Sequence, residues 1–425
     1  MRILIVNTSE RTGGAAVAAH RLMNALNNHG VKATMLVGNR SGGKTRPGSL
    51  TVIGLKGRWR QQWHFLWERL VIFFHLRLSR EHLFELDIAN AGTDITRLRV
   101  FQEADVIHLH WINQGMLSLD GIRKILRSGK PVVWTMHDMW PATAICHLTL
   151  GCDNFKTACH HCKYLPEGGG ANDLSARVWQ RKQRVLEEAN NVTFVTVSNW
   201  LADCARHSAL IGRFPIEVIP NTILLSRFIP MNRVEARNEL GVQEPVVIAF
   251  GAARIDNSIK GFQYLTQALQ LLTSDGRFAT SDIHLLLFGG IRDKSVFNQL
   301  PVCYTYLGYV NDEITLSRIY SASNATISSS LYETFGQTLI EAMACGSIPV
   351  SFAGSGQADI ITHLQTGYLA ERLSAKSLAD GIEWAAKNQL SAQDLRRSVA
   401  QRYAGDVVAG HYLTLYERIL KKKHD

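Results

Sequence analysis

Val246-Val247-Ile248-Ala249-Phe250-Gly251-Ala252-Ala253-Arg254 is the stretch whose reading decides the fold. Five consecutive apolar residues with β-branched side chains among them read as a strand buried on both faces. The small residues that follow form a tight strand end, and Lys260-Gly261 leads into the next helix-length segment. Working downstream, the pattern recurs at His284-Leu285-Leu286-Leu287-Phe288, Ala325-Thr326-Ile327-Ser328 and Ile348-Pro349-Val350-Ser351. Upstream lies an earlier series: Ile3-Leu4-Ile5-Val6, Thr34-Met35-Leu36-Val37, Val106-Ile107-His108-Leu109, Val132-Val133-Trp134-Thr135 and Phe194-Val195-Thr196-Val197. Short apolar runs alternating with helix-length segments are the mark of parallel sheets covered by helices on both faces. Ile219-Pro220-Asn221-Thr222 and the polar stretch to Pro230 separate the two series and read as a linker. The expected class is therefore α/β, with two doubly wound domains at 1–222 and 223–405. A last helix, from about Ser391 to Lys423, brings 406–425 back onto the first domain. Two such sheets facing each other would leave a cleft at the carboxyl ends of their strands, where sheets of this kind bind ligands.

The bulk composition agrees with that reading. The 425 residues exceed one ordinary core, and 46% hydrophobic with 19% charged residues is globular, not disordered. No window holds roughly 18 uncharged apolar residues, so no membrane-spanning helix is expected. Met1-Arg2-Ile3-Leu4-Ile5-Val6-Asn7 turns polar too soon for a signal peptide, so a cytoplasmic chain is expected. A formal charge of +10 favours anionic partners such as nucleotide diphosphates or anionic lipid. The basic residues are scattered and carry no nucleic-acid-binding signature, so nucleic acid is not an expected partner.

Three segments carry chemistry. After the first strand, Thr12-Gly13-Gly14-Ala15-Ala16 opens a helix, and glycines there let backbone N–H groups approach a phosphate or sugar. A simple strand–helix turn reads equally well, and the three-glycine dinucleotide spacing is missing. In the second half, Arg254 and Lys260 lie six residues apart, where two cations can clamp a diphosphate leaving group. The third segment is Leu331-Tyr332-Glu333-Thr334-Phe335-Gly336-Gln337-Thr338-Leu339-Ile340-Glu341. Glu333 reads as a loop residue and Glu341 as helical, with the helix start at Gly336-Gln337-Thr338 turned toward phosphate.

At this point the chain resembles the family 4 glycosyltransferases, which have the GT-B fold of two Rossmann-like domains. The matching residues are Arg254 and Lys260, Gly308-Tyr309-Val310, Glu333 with Glu341, and Gly354-Ser355-Gly356 before Asp359. In the first half they are Gly13-Gly14, His137-Asp138 and Val197-Ser198. The resemblance covers nearly the whole chain, and the spaced glutamates are its most specific element. It implies retaining, metal-independent transfer of a sugar from a UDP- or GDP-sugar to a saccharide or lipid-linked saccharide. Arg254 and Lys260 would bind the diphosphate, Glu341 the donor ribose and Glu333 the transferred sugar. Backbone at Gly336, Gln337 and Thr338 would meet the phosphates, and Val310 the base. His137 would contact donor sugar hydroxyls, with Gly13 and Gly14 near the phosphate. No cofactor is expected for catalysis. Asp359, where glutamate is commoner, and Asn221-Thr222, where Asn-Gly is usual, depart from the pattern.

Two features stand apart. Cys146, Cys152, Cys159 and Cys162 fall within seventeen residues, interleaved with His147, His160 and His161. The Cys159-x2-Cys162 pair is half of a zinc site, and a structural zinc, free thiols and disulfides all stay open. The run His137-Asp138-Met139-Trp140-Pro141 before this cluster resembles a subgroup of bacterial transferases for exopolysaccharide or lipopolysaccharide, the colanic-acid type included. From Arg58 to Leu86, Trp59, Trp63, Leu66, Leu70, Phe73 and Arg77 recur at helical spacing, with Trp67 and Phe74 beside them and Arg60, Arg69 and Arg80 interleaved. Such a helix either lies on an anionic membrane and receives a lipid-linked acceptor, or packs on its own domain. The rival readings are a nucleotide-sugar epimerase or phosphorylase of the same architecture, and a non-enzymatic nucleotide-binding membrane scaffold.

Overall fold

The computed structural model describes residues 1–40 and 51–421. The chain divides into two compact units, Met1–Pro220 with Val408–Asp425, and Asn221–Val407. In the first unit seven strands run parallel: β1 (Arg2–Ser9), β2 (Lys32–Asn39), β3 (Val52–Gly54), β4 (Val106–Leu109), β5 (Val132–Met136), β6 (Val192–Thr196) and β7 (Ile216–Val218). Their order is β3-β2-β1-β4-β5-β6-β7. Every residue of β4, β5 and β6 is buried, as continuous apolar runs require in a sheet covered on both faces. The order reverses between β1 and β4, where the chain changes sides of the sheet and the carboxyl strand ends open a crevice.

The second unit repeats the plan with β8 (Val246–Arg254), β9 (Ile283–Gly290), β10 (Cys303–Tyr306), β11 (Ala325–Ser328), β12 (Ile348–Phe352) and β13 (Tyr368–Ala370). The order is β10-β9-β8-β11-β12-β13, again all parallel, with the reversal between β8 and β11. The expected α/β class with two doubly wound sheets is what the structure shows.

The single helix expected over 391–423 is two helices, Ala392–Tyr403 and Gly405–Lys421. Ala404 between them is extended, at φ −58° and ψ 148°, and pairs with Ile223 as a parallel bridge. The bridge claims the backbone that would have continued the helix. The second of the two sinks Val408, Tyr412, Leu415 and Tyr416 into the same core as Ile3, Ile5, Leu26 and Val133. The Tyr412 hydroxyl meets Thr135 Oγ1 at 2.9 Å, and the Tyr416 hydroxyl meets His108 Nδ1 at 2.7 Å. Both buried hydroxyls therefore have partners, as buried polar groups must.

The helix expected from Arg58 to Leu86 is shorter. After α1 (Gly14–Asn28), α2 spans Arg58–His75 and stops where Arg77 and Leu78 take positive φ, 51° and 66°. Among the described residues no helix is long and apolar enough to cross a membrane.

Candidate functional site

In the second unit the site is built on the carboxyl ends of the two strands flanking the reversal. A register shift against β9 between Ala252 and Arg254 loosens the end of β8. The Arg254 guanidinium there is 3.5 Å from the Asp256 carboxylate. A short turn, Ser258–Lys260, then closes on Gly261 at φ 67°. A Cβ at Gly261 would stand 2.0 Å from the Ser329 carbonyl oxygen, so this crossing of the β8 turn over the β11 end admits only glycine. The Ser329 hydroxyl lies 3.1 and 2.9 Å from the carbonyls of Lys260 and Gly261, and the Leu331 N–H donates to the Ile259 carbonyl at 2.8 Å. These bonds fix Lys260 against the segment carrying Glu333. The ammonium and carboxylate meet at 2.7 Å, each about a quarter exposed.

Three residues beyond Glu333, Gly336 at φ 105° caps the helix Gln337–Ala344 with no side chain bonded across its first turn. The N–H groups of that turn, at Gln337 and Thr338, keep the positive end of the helix open to an anion. Glu341, one turn further, is 7% exposed and its Oε2 lies 3.5 Å from the Tyr320 hydroxyl. Val310 follows β10 on the same carboxyl edge, where the Gly308 carbonyl accepts from the Gly289 N–H at 2.7 Å. No spacing or periodicity marks Gln357, which is fully buried. Its amide donates to the carbonyls of Ser330 and Phe352 and accepts from the Ser328 hydroxyl at 2.6 Å. The Ser328-Ser329-Ser330 run at the end of β11 takes its bracing role from partners distant in sequence.

The first unit brings a second group to its own strand ends. Gly13, at φ 90°, caps α1, again with no side-chain cap. His137 follows β5, and its Nε2 lies 2.8 Å from His110 Nδ1 across stacked rings. Burial pushes His137 down to about 4 against the opposing pull of Asp138, so the ring is neutral at pH 7. Asp138 accepts from Trp111 Nε1 at 2.8 Å and from the Trp140 N–H at 2.8 Å. His147, interleaved with the cysteines in sequence, is instead clamped between Asp138 (2.7 Å) and Asp87 (2.6 Å). Burial lowers it, yet Asp138 and then Asp87 more than offset that and raise it to about 10. Asp87 also pairs with Arg69, so of the arginines interleaved along 58–86 Arg69 turns inward. Beside it Glu68 accepts from the N–H groups of Ile88 and Ala89. Burial and the Asp87 charge raise Glu68 to about 7.

Cys146, Cys152, Cys159 and Cys162 all line one cavity of about 20 Å³, and none forms a disulfide.

With that geometry in place, the family models can be laid on the chain. The model for glycosyltransferase family 4 matches residues 12–227, and the model for glycosyl transferases group 1 matches 232–402. The chain belongs to glycosyltransferase family 4.

Among curated relatives, the D-inositol 3-phosphate glycosyltransferase of Pseudarthrobacter chlorophenolicus is 26% identical, over 70% of this chain and 66% of its own length. An uncharacterized glycosyltransferase of Methanocaldococcus jannaschii is 25% identical over 44% of this chain. The match spans about half of that relative, 48%. The putative colanic acid biosynthesis glycosyl transferase WcaC of Escherichia coli is 23% identical over 74% of this chain and 75% of its own. Among solved structures, sucrose-phosphate synthase from Thermosynechococcus elongatus superposes with a TM-score of 0.67 at 20% identity, covering 99% of each chain. HepE of Anabaena, in complex with UDP and glucose, gives 0.65 at 16% identity, over 98% of this chain and all of its own. At these identities the structures establish the shared fold.

Proposed function

We propose that this family member is a retaining glycosyltransferase that moves a sugar from a nucleotide-diphosphate sugar to a lipid-linked saccharide in bacterial surface-polysaccharide assembly. The observation that carries the reading is the 2.7 Å pair of Lys260 and Glu333 beside the uncapped start of Gln337–Ala344, at the switch point of the second sheet.

In the reaction the bond from C1 of the sugar to the phosphate oxygen breaks, and its electron pair stays with the diphosphate. Lys260, Arg254 and the helix N–H groups stabilise that growing charge, a role that calls for no divalent ion. Glu333 orients the sugar through its hydroxyls, and Glu341 and Val310 hold the nucleoside. The acceptor hydroxyl attacks C1 on the face the phosphate leaves and gives its proton to the departing oxygen. His137, neutral at pH 7, can hydrogen-bond a sugar hydroxyl at the strand ends of the first unit without adding charge. HepE, solved with UDP and glucose, supports the donor class, and the WcaC relative supports the polysaccharide role.

The acceptor side rests on α2, which is built inside out. Its buried face carries Glu68 and Arg69 together with Ile72, while Trp59, Trp63, Leu66, Trp67 and Phe74 are exposed, Trp59 by 86%. An outward aromatic face with Arg58 and Arg60 at its start suits the interface of an anionic membrane. The inner side of α2 gives Gln61 and Gln62 to a cavity of about 280 Å³ with Asn39 and Gln114. Amides of this kind match the hydroxyls of a saccharide.

The test is sugar transfer by the full chain from UDP- and GDP-sugars to a lipid-linked saccharide, with and without EDTA. Lys260→Ala and Glu333→Ala are each expected to lose roughly 10²–10³-fold in turnover with an unchanged melting temperature. Near-wild-type transfer by both variants contradicts the site assignment.

A further inference from the structure

We propose that the loop between β5 and the helix Leu174–Glu187 holds one structural zinc ion, bound by the thiolates of Cys146, Cys152, Cys159 and Cys162. The first ground is convergence. These four residues span only seventeen positions, and all four line a single cavity of about 20 Å³, room for one water-sized occupant. The wall between them is apolar, with Ile145, Phe155 and Tyr164.

The second ground is the pinning of the loop around the sulfurs. The Cys162 N–H donates to Asp173 Oδ2 at 2.9 Å, the Cys152 N–H to the Thr149 carbonyl at 2.9 Å, and the Thr143 hydroxyl to the Cys146 carbonyl at 2.6 Å. Three of the four cysteines therefore have a fixed backbone beside the shared cavity.

The third ground is a buried cation. Lys182, 3% exposed, donates to the carbonyls of Trp140 (2.6 Å) and Thr143 (2.9 Å) and lies 3.3 Å from the Trp140 ring centre. Among the described residues no carboxylate comes within ion-pair distance of it. Burial pushes Lys182 down to about 7, and a four-thiolate zinc centre beside it, two negative charges net, would favour the ammonium form that these carbonyls and the Trp140 ring already face. Zinc binding would release the thiol protons to solvent and leave no redox change.

Among the described residues no group of three or more His, Cys, Asp or Glu side chains stands at metal-holding distances. The proposal therefore includes a contraction: the ion draws the four sulfurs inward around the cavity they already share. His160 also borders the cavity and pairs with His161, which leaves the four-sulfur set as the tighter choice. The segment joins β5 to Leu174–Glu187 with only isolated short turns, a length of chain that a metal centre would fix.

The experiment is metal analysis of the full-length protein, purified without chelator after growth in zinc-supplemented medium. The expected result is about one zinc per chain, falling at least fivefold in the Cys159→Ser, Cys162→Ser double variant. A second measurement does not depend on a variant folding. Wild-type protein stripped of metal and given Co²⁺ should show the d–d absorption of a tetrahedral thiolate site. Zinc well below a fifth of an ion per chain together with no such cobalt spectrum overturns the proposal. Undiminished zinc in a folded double variant overturns the ligand assignment. Neither outcome touches the transferase reading, whose test is sugar transfer.

Discussion

Single residues in this chain do their work through partners that are remote in sequence. His147 is the clearest case, because its proton is held between Asp138 and Asp87 and bound more tightly in the folded chain than in the unfolded one. The stabilisation from that clamp is fully present below pH 6.5 and is lost as pH rises toward about 10. His147→Gln should therefore be destabilised most at or below pH 6.5, by on the order of 1–3 kcal/mol, with the gap to wild type closing toward pH 10. Denaturant unfolding of both proteins across that range checks it; a gap that stays constant with pH contradicts the clamp. The sequence showed His137-Asp138 as a motif but placed His147 with the cysteines, since interleaving is all that spacing reveals. Arg254 and Lys260 were legible at a strand end and the turn after it, and Glu333 and Glu341 by their spacing on either side of the helix start at Gly336-Gln337-Thr338. Gln357 and Asp256 were not, because neither position carries a periodic or spacing signal.

At the scale of elements, the long buried strands were visible and the short edge strands were not. β3, β7, β10 and β13 have three or four residues each and are only partly buried or exposed for most of their length. Ile216-Glu217-Val218 and Cys303-Tyr304-Thr305-Tyr306 lack the continuous apolar run by which β4 or β8 announces itself. The helix α2 was seen, but which way it faced was not. Aromatic residues at helical spacing fit a core-facing stripe as well as a membrane-facing one, and only the burial of Glu68 and Arg69 separates the two. Replacing Trp59 and Trp63 by Gln should cost little stability, about 0.5 kcal/mol or less per site at such exposure. The same change should weaken binding to anionic vesicles at least tenfold in co-sedimentation. Equal binding by the variant and wild type would remove α2 from the membrane contact.

At the scale of the molecule, the two-sheet plan followed from two series of apolar runs separated by a linker, and the structure divides the chain two residues before the expected boundary. The C-terminal crossover is the feature that ties the ends of the chain together, because 408 onward completes the core of the first unit. Val408, Tyr412, Leu415 and Tyr416 are 0–3% exposed there. Each such side chain contributes about 1.5–3 kcal/mol by burial, so together they rival the roughly 5–15 kcal/mol net stability of a domain. A chain ending at Val407 should lose cooperative melting of its first unit in calorimetry while the second unit still melts. Two intact transitions in the truncated chain would contradict the packing. The break at Ala404 that aims this helix was hidden in the sequence, because no proline precedes it and its cause is the bridge to Ile223.

The central claim, that the second unit binds a nucleotide-sugar donor through Lys260 and its neighbours, has a direct test. Thermal unfolding of the full chain would be followed with UDP, GDP and their sugar conjugates, for wild type and Lys260→Ala. A donor at a hundred times its dissociation constant stabilises the folded state by about 2.7 kcal/mol, so the account predicts a clear upward shift with one nucleotide series and a much smaller one in the variant. No shift with any nucleotide at millimolar concentration, or an equal shift in the variant, would contradict it.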